Sequence, residues 1–181
     1  SLQTIVSRNL NLTKNPAVVT IGAVNGGNRF NIIPEQVEML GTIRTFSDAD
    51  ESFVFSLVRQ VAEKTAESAG ATALVELPYS VHYPVVFNNP ELLNAMLPSL
   101  QKAAGAENVL LKPAKTGSED FSFYARKVPG FFFFVGSLPV GKDPKTAAPH
   151  HTPDFFIDDN AFKTGVKAKC NLVFDYMEMH T

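Results

Sequence analysis

His151 is the residue whose type and setting best suit metal binding. It lies between Pro149 and Pro153, where a rigid proline and the helix that follows can hold an imidazole ring in one orientation. A divalent ion needs several nitrogen, sulfur or oxygen donors that converge on it. The other histidines and the single cysteine are spread along the chain, at His82, His150, His180 and Cys170. The sequence therefore predicts a metal ligand without its partners, in an incomplete catalytic unit. An ordinary loop histidine is the alternative.

Arg44 and Asn31 carry side chains that can bind anionic or carbonyl oxygens. Arg44 is on the polar face of a predicted strand, and its planar guanidinium matches a carboxylate with two hydrogen bonds. Asn31 offers an amide donor that can stabilise an oxyanion. The alternative is an exposed strand arginine and a turn asparagine. The pattern by itself leaves both interpretations open.

A third group of candidates is Gly117, Ser118 and Glu119. Glycine allows a close approach of the backbone, so this segment could present N–H groups and an acid to a metal cleft. The alternative is a helix start, with Ser118 as the N-cap and acidic residues in the first turn. The two roles are compatible, and for Glu119 capping is at least as well founded as substrate contact.

Composition limits the function classes. With 181 residues and 45% hydrophobic content the chain can bury a core, and its net charge of −2 argues against nucleic-acid or acidic-lipid binding. No apolar run is long enough for a membrane span. One cysteine excludes an internal disulfide and leaves the compartment open, cytoplasmic or periplasmic. The chain begins without methionine, directly in an apolar pattern of helical spacing, so we expect a segment upstream of Ser1.

Residues 1–88 form the first predicted domain. The pattern predicts the end of a helix, a strand over residues 17–24, and a second strand whose alternation buries the face of Val37, Met39 and Ile43. A helix begins after Ser47 and ends at Gly70. Residues 72–77 and 81–87 are predicted as edge or irregular strands, because prolines interrupt them.

Residues 89–181 form the second predicted domain, which is α/β in character. A helix is expected over residues 90–104, a short strand over 109–111, and over 131–135 an apolar strand covered on both faces. The last helix follows Asp159, and its spacing predicts that Phe162, Val166 and Val173 are buried. Cys170, inside that helix, is expected to be a small buried hydrophobic residue.

Four segments in this order resemble the metal-dependent amidohydrolases that cleave N-acyl amino acids. These enzymes include hippurate hydrolases and auxin-conjugate hydrolases, within the aminoacylase and carboxypeptidase G group. The segments are LQTIVSRN at 2–9, NIIP at 31–34 with GTIRTF at 41–46, GSEDF at 117–121, and HTP at 151–153. Each segment is short, but together they span nearly the whole chain.

The resemblance implies an α+β lid domain, a four-stranded antiparallel sheet with two helices, followed by the C-terminal part of an α/β zinc-peptidase catalytic domain. In such enzymes the lid is inserted into a split catalytic domain and pairs two subunits. The other metal ligands and the catalytic glutamate belong to an N-terminal half without a counterpart here. We therefore expect no catalytic residue in this chain, and no activity from it alone.

The resemblance also assigns roles to the candidates. His151 matches the last metal ligand of a site for two divalent ions, zinc or manganese, and His150 is a supporting or loop residue. Asn31 and Arg44 match lid residues that reach the substrate, in their own site or in that of a partner subunit. Gly117, Ser118 and Glu119 complete the predicted substrate contacts.

The expected reaction is hydrolysis of the amide of an N-acyl amino acid by a metal-activated water. The expected partners are this substrate or a peptide, a second copy bound through the lid, and the missing N-terminal segment. Two alternatives remain: a carboxypeptidase or dipeptidase on the same scaffold, and a non-catalytic dimerisation module.

Overall fold

The computed structural model describes residues 1–14 and 16–181 and divides the chain into two compact units. The first unit comprises Ser1–Val85 and Lys115–Ser122, and the second comprises Val86–Ala114 and Phe123–Thr181. The predicted boundary, between residues 88 and 89, is close to the first of these divisions. Residues 115–122, which the sequence assigned to the second part, belong to the first unit.

The first unit contains two strands followed by one long helix, and the regular elements of the second unit are helices. A short π-helical turn, Ile5–Asn9, precedes them. They are β1 (Val18–Asn25), β2 (Glu38–Arg44), α1 (Asp48–Ser68), α2 (Pro90–Ala104), α3 (Phe121–Ala125) and α4 (Asn160–Glu178). Single 3₁₀ turns occur at Ala106–Asn108 and Pro144–Thr146. None of the described helices has the length and apolar character that crossing a membrane requires.

An antiparallel ribbon and one long helix form the core of the first unit. In the ribbon Val18 pairs with Arg44 and Asn25 with Glu38, with a register shift between Ile21 and Ala23. One buried cluster joins the N-terminal turn, β1 and α1 through their apolar side chains: Ile5, Val19, Val54 and Val58. Burial of these side chains is the main favourable term for this unit.

Helix α1 begins where the sequence predicts. The hydroxyl of Ser47 accepts a hydrogen bond from the backbone N–H of Asp50 at 3.0 Å. Acidic residues in the first turn, among them Glu51, interact favourably with the positive end of the helix dipole. The bond of Ser47 confirms the predicted N-cap. Both features are local in sequence.

The segment after α1 is held to that helix by side chains. Glu51 Oε1 and His82 Nε2 are 2.8 Å apart, and the rings of His82 and Phe55 meet edge to face. The guanidinium of Arg59 donates to the carbonyl of Val75 at 2.8 Å. His82 is therefore part of the packing of the first unit.

The sheet of the described residues has two strands, where the resemblance implies four. Residues 72–77 keep a strand-like pattern, since Ala73, Val75 and Leu77 are half-buried and the residues between them are exposed. They form no ladder, because among the described residues no strand lies alongside to pair with them. Pro78 and Pro84 have no backbone N–H to donate to a ladder, which makes strand pairing of residues 81–87 still less favourable.

The prediction that one face of β2 is buried is wrong for the N-terminal end of this strand. Val37 and Met39 are exposed, whereas Ile43 is half-buried and packs against the core cluster. Ile43 pairs with the buried Val19, so the core covers only the end of the ribbon at which these two residues lie. The other end of the ribbon extends beyond the core.

Helices α2 and α4 pack together in the second unit. Helix α2 begins as predicted, because the side chain of Asn89 accepts from the N–H of Leu92 at 2.8 Å. Its buried Ser99 offers a carbonyl to Asn171 of α4, and Ala168 of α4 is buried. Lys102 and Asp175 add an ion pair at 3.5 Å between the two helices.

Three further predictions for the second unit are wrong. Residues 109–111 and 131–135 are not strands, because no described strand lies beside them to complete a ladder. Phe162, Val166 and Val173 of α4 are exposed, since α2 packs against the other side of that helix. Cys170 is also exposed, in contrast to its predicted burial.

Replacing Gly41 with alanine should destabilise the first unit. A Cβ at this position would lie 2.3 Å from the backbone carbonyl of Thr20, a distance that the ribbon can relieve only by shifting. We expect a loss of about 2 kcal/mol in the free energy of unfolding, measured by urea denaturation followed by circular dichroism. Gly22→Ala is the matched control, because its Cβ would meet only Leu40 O at 4.0 Å. Equal midpoints for the two variants would contradict the expectation.

Candidate functional site

His151 has an unusual backbone conformation. Its φ is +66°, and among the described residues it is the one non-glycine residue with a positive φ. This left-handed conformation costs an L-residue about 1–2 kcal/mol, and such residues concentrate at functional sites. The structure thus singles out His151 on grounds that are independent of its sequence pattern.

The loop around His151 is built from local hydrogen bonds. The hydroxyl of Thr152 donates to the carbonyl of Pro149 at 2.7 Å, and the N–H of Phe155 donates to the carbonyl of Thr152 at 3.1 Å. The ring of His150 packs edge-on against Phe155, with ring centres 4.7 Å apart. The His151 side chain is exposed. Both histidines are thus exposed, and the ring of His150 contacts Phe155.

The described residues do not form a complete metal site. Residues 1–14 and 16–181 contain no group of three or more histidine, cysteine, aspartate or glutamate side chains that could hold an ion together. An accessible imidazole in a constrained loop suits one ligand of a divalent ion. Within the described residues, His151 therefore offers one accessible nitrogen donor without a cluster of further ligands around it.

Arg44 lies close to a second group of candidate residues in the first unit, Gly117, Ser118 and Glu119. Its guanidinium donates a hydrogen bond to the backbone carbonyl of Thr116, the residue before Gly117. Arg44 is half-buried at the last position of β2. A guanidinium has five N–H donors, so this bond leaves donors for a further acceptor. Arg44 and the Gly117–Glu119 segment are thus neighbours.

Gly117, Ser118 and Glu119 precede a short helix without capping it in the predicted manner. Helix α3 begins at Phe121, so Ser118 is not at the N-cap position. The fully buried Ser122 instead fixes the segment, because its hydroxyl donates to the carbonyl of Glu119 at 2.7 Å. Gly117 is open, since a Cβ there would meet no atom within 4 Å. The segment is accessible and held at both ends.

Asn31 lies at the other end of the β1–β2 ribbon from Arg44. It belongs to the exposed connection between β1 and β2, which leaves the ribbon at the Asn25–Glu38 pair. Arg44 lies at the opposite end of the ribbon, paired with Val18. Six residues of strand separate the two ends, a length of about 20 Å. The structure does not bring Asn31 and Arg44 together within one copy.

Sequence reasoning missed Thr116 and Ser122. Thr116 acts through its backbone carbonyl, and it is 72 residues away from Arg44 in the chain. The residue types at these two positions do not indicate a backbone contact between segments so far apart in the chain. Ser122 lies inside the GSEDFS segment, but its burial depends on packing that the local pattern does not encode.

Comparison with known proteins identifies relatives of the chain. Residues 7–175 match the sequence profile of Peptidase family M20/M25/M40. The N-acetylcysteine deacetylase of Bacillus subtilis is 38% identical, over 88% of this chain and 39% of that protein. Thermostable carboxypeptidase 2 of Saccharolobus solfataricus is 32% identical, over 89% of this chain and 39% of that protein.

A solved structure agrees with the fold. The YXEP protein of Bacillus subtilis, described as a dinuclear metal binding peptidase from the M20 family, superposes with a TM-score of 0.71 at 32% identity. The superposition covers 86% of this chain and 41% of that protein. The chain thus spans less than half the length of the relatives that it matches.

Removing the guanidinium of Arg44 should loosen the segment beside it. In Arg44→Met we expect amide hydrogen exchange of residues 115–120 to rise roughly several-fold, because the bond to Thr116 is lost. Arg59→Met is the matched control, since Arg59 binds Val75 O and its loss should affect residues 72–77 instead. Unchanged exchange of residues 115–120 in Arg44→Met would show that the bond does not hold this segment.

Proposed function

The chain belongs to Peptidase family M20/M25/M40, and we propose that it is the C-terminal portion of a metal-dependent amidohydrolase that removes the acyl group from N-acyl amino acids. The observation that carries the proposal is the match of residues 7–175 to this family. The N-acetylcysteine deacetylase among the relatives supports an N-acyl amino acid as the substrate class. The part of these relatives without a counterpart here would supply the catalytic residues, so this chain alone would be inactive.

His151 would hold one of two divalent ions, zinc or manganese. Its exposed imidazole and constrained backbone support this role, and the other ligands would come from the missing portion. Ions bound in such a site supply a Lewis acid for amide hydrolysis. The chain itself contributes a donor at a fixed position, which reduces the entropy lost when the ion binds.

Arg44 would bind the free carboxylate of the substrate. Its remaining N–H donors suit a carboxylate, and the bond to Thr116 limits the conformations of a side chain that is otherwise flexible. The open Gly117 beside it would allow the backbone of residues 117–119 to approach the substrate closely. Together these groups form a carboxylate site on the first unit.

Asn31 would reach the substrate from a second copy of the chain. The connection that carries Asn31 and the position of Arg44 are at opposite ends of a ribbon about 20 Å long, which is longer than a single N-acyl amino acid. The hairpin end that carries Asn31 also exposes Phe30 and Ile33, apolar side chains that a second copy could cover. We therefore propose that the first unit is a lid that pairs two subunits.

A carboxypeptidase or dipeptidase is the second candidate, because thermostable carboxypeptidase 2 is also a relative. The two candidates differ in the group on the amino side of the scissile amide. A chimera in which this chain replaces the matching portion of the N-acetylcysteine deacetylase provides a complete enzyme for comparison. A higher kcat/KM of the chimera for dipeptides than for N-acetyl amino acids would favour the second candidate.

Metal content tests the fragment proposal. We expect the 181-residue chain to retain no stoichiometric zinc or manganese after dialysis, whereas the chimera retains about two ions per subunit. His151→Ala in the chimera should lower the content by about one ion, and His180→Ala should not. The measurement is elemental analysis by mass spectrometry. Tight stoichiometric binding by the 181-residue chain would contradict the proposal.

Mixed dimers test the role of the second copy. In the chimera, Asn31→Ala and Arg44→Ala should each lower kcat/KM by roughly tenfold or more, because each removes a hydrogen bond to substrate. A dimer of one variant with the other has one site with both residues intact if each site takes Arg44 from its own subunit and Asn31 from the partner. Random pairing on co-expression makes about half of the dimers mixed, so about a quarter of the activity of the unsubstituted chimera should return. No restoration would show that each site takes both residues from one subunit, and would contradict the proposal.

A further inference from the structure

Asn25 is the only asparagine of the chain that precedes a glycine. The backbone nitrogen of the residue after an asparagine can attack the carbonyl carbon of the asparagine side chain and displace ammonia. A side chain on that following residue hinders the attack, and Gly26 has none. Both residues are exposed, so water has access to the reacting atoms. Asn25 and Gly26 therefore combine a reactive sequence with access to water.

The end of the ribbon at which Asn25 lies is weakly held. Asn25 pairs with Glu38 at the last position of the ladder, and a register shift in β1 separates this end from the part that contacts the core cluster. The neighbouring side chains of Val24 and Met39 are 60% and 57% exposed. Ladder ends with few buried contacts open locally at a small free-energy cost. Such opening lets Asn25 leave the extended conformation, as bond formation with the nitrogen of Gly26 requires.

The packing of the ribbon end requires the glycine that makes Asn25 reactive. A Cβ at position 26 would lie 2.8 Å from a methyl group of Val37, so a larger residue would clash with the segment that enters β2. The next residue, Gly27, has a φ of +71°, a left-handed conformation that glycine adopts without strain. The turn out of β1 is therefore built from residues that give Asn25 little steric protection.

We propose that Asn25 is a modification site at which the chain converts itself by deamidation. The nitrogen of Gly26 gives up its proton to a base and forms a bond to Cγ of Asn25, while the Cγ–Nδ2 bond breaks and ammonia leaves. Water then opens the cyclic imide. Attack at Cγ restores the original main chain and gives aspartate, whereas attack at the main-chain carbonyl carbon of residue 25 gives isoaspartate. Water is the co-reactant, and no oxidant or reductant takes part.

Both products should open the ribbon end. Each places a carboxylate at the position that pairs with Glu38, and like charges directly opposite each other on antiparallel strands are destabilising. Isoaspartate also adds a carbon atom to the main chain next to the close contact of Gly26 with Val37, which requires the two segments to shift. The conversion thus changes the structure at this end of the ribbon as well as its charge.

Ageing of the 181-residue chain tests the proposal. The chain is incubated at neutral and at mildly alkaline pH, digested at acidic pH, and analysed by tandem mass spectrometry. We expect residue 25 to show the mass change of an amide converted to an acid, and to become a substrate for an isoaspartate-specific methyltransferase. The rate should rise with pH, because the attacking nitrogen must lose its proton.

Asn28 and Asn31 are internal controls, because they are exposed in the same connection and are followed by Arg29 and Ile32. We expect Asn25 to convert roughly tenfold faster than either of them or more, since only Gly26 leaves the attacking nitrogen unhindered. Conversion of Asn25 no faster than that of Asn28 and Asn31 would overturn the proposal, because the ribbon would then protect this site.

Amide hydrogen exchange of residues 23–25 and 38–40 measures the opening of the ribbon end. Exchange should rise roughly several-fold in the aged chain and in freshly prepared Asn25→Asp. Asn25→Gln is the matched control, because it keeps the amide but places it one carbon farther from the main chain, where ring closure is much slower. Aged Asn25→Gln should exchange like the fresh chain. Unchanged exchange in a fully converted chain would overturn the proposed effect on the ribbon.

Discussion

A β-strand needs a neighbour at its edge, and this requirement governs which parts of the chain become regular. A helix satisfies its backbone within a few residues, whereas a strand depends on another segment for every ladder bond. Among the residues that the structure describes, β1 and β2 are the only strands that pair. Where no neighbouring strand is present, side chains form hydrogen bonds with the backbone instead. Arg59 binds the carbonyl of Val75, and Asn88 binds both backbone groups of Phe132. These bonds lower the cost of leaving backbone groups unpaired.

The same requirement explains how much of the fold the sequence could predict. Helices α1, α2 and α4 follow from caps and periodic spacing, and the bonds of Ser47 and Asn89 are local. The two strands of the ribbon also follow from their apolar patterns, but their pairing with each other does not. The segments 72–77, 109–111 and 131–135 have strand patterns, but a pattern cannot state whether a partner is present. The predicted burial of one side of α4 failed for the same reason, since burial requires a covering layer.

For the candidate site residues, too, local sequence predicts one part and long-range contacts determine the other. His151 could be selected from its type and its neighbouring prolines, but its left-handed backbone is visible only in the structure. Arg44 could be selected from the polar face of its strand, but its bond to the carbonyl of Thr116 links segments far apart in the chain. Residue type therefore indicates which chemistry is available, and long-range contacts decide which of these groups are held in place.

The chain holds its candidate groups in place, although its described residues form no cluster of three or more metal ligands. Local bonds of the backbone fix the loop of His151, and a backbone carbonyl restrains Arg44, so neither group depends on substrate or metal for its setting. Restraint of this kind lowers the entropy lost on binding and favours a productive geometry. A segment selected only for subunit pairing would gain nothing from a strained histidine and a restrained, accessible arginine. Their presence agrees better with the proposed metal-dependent hydrolase than with a module that only pairs subunits.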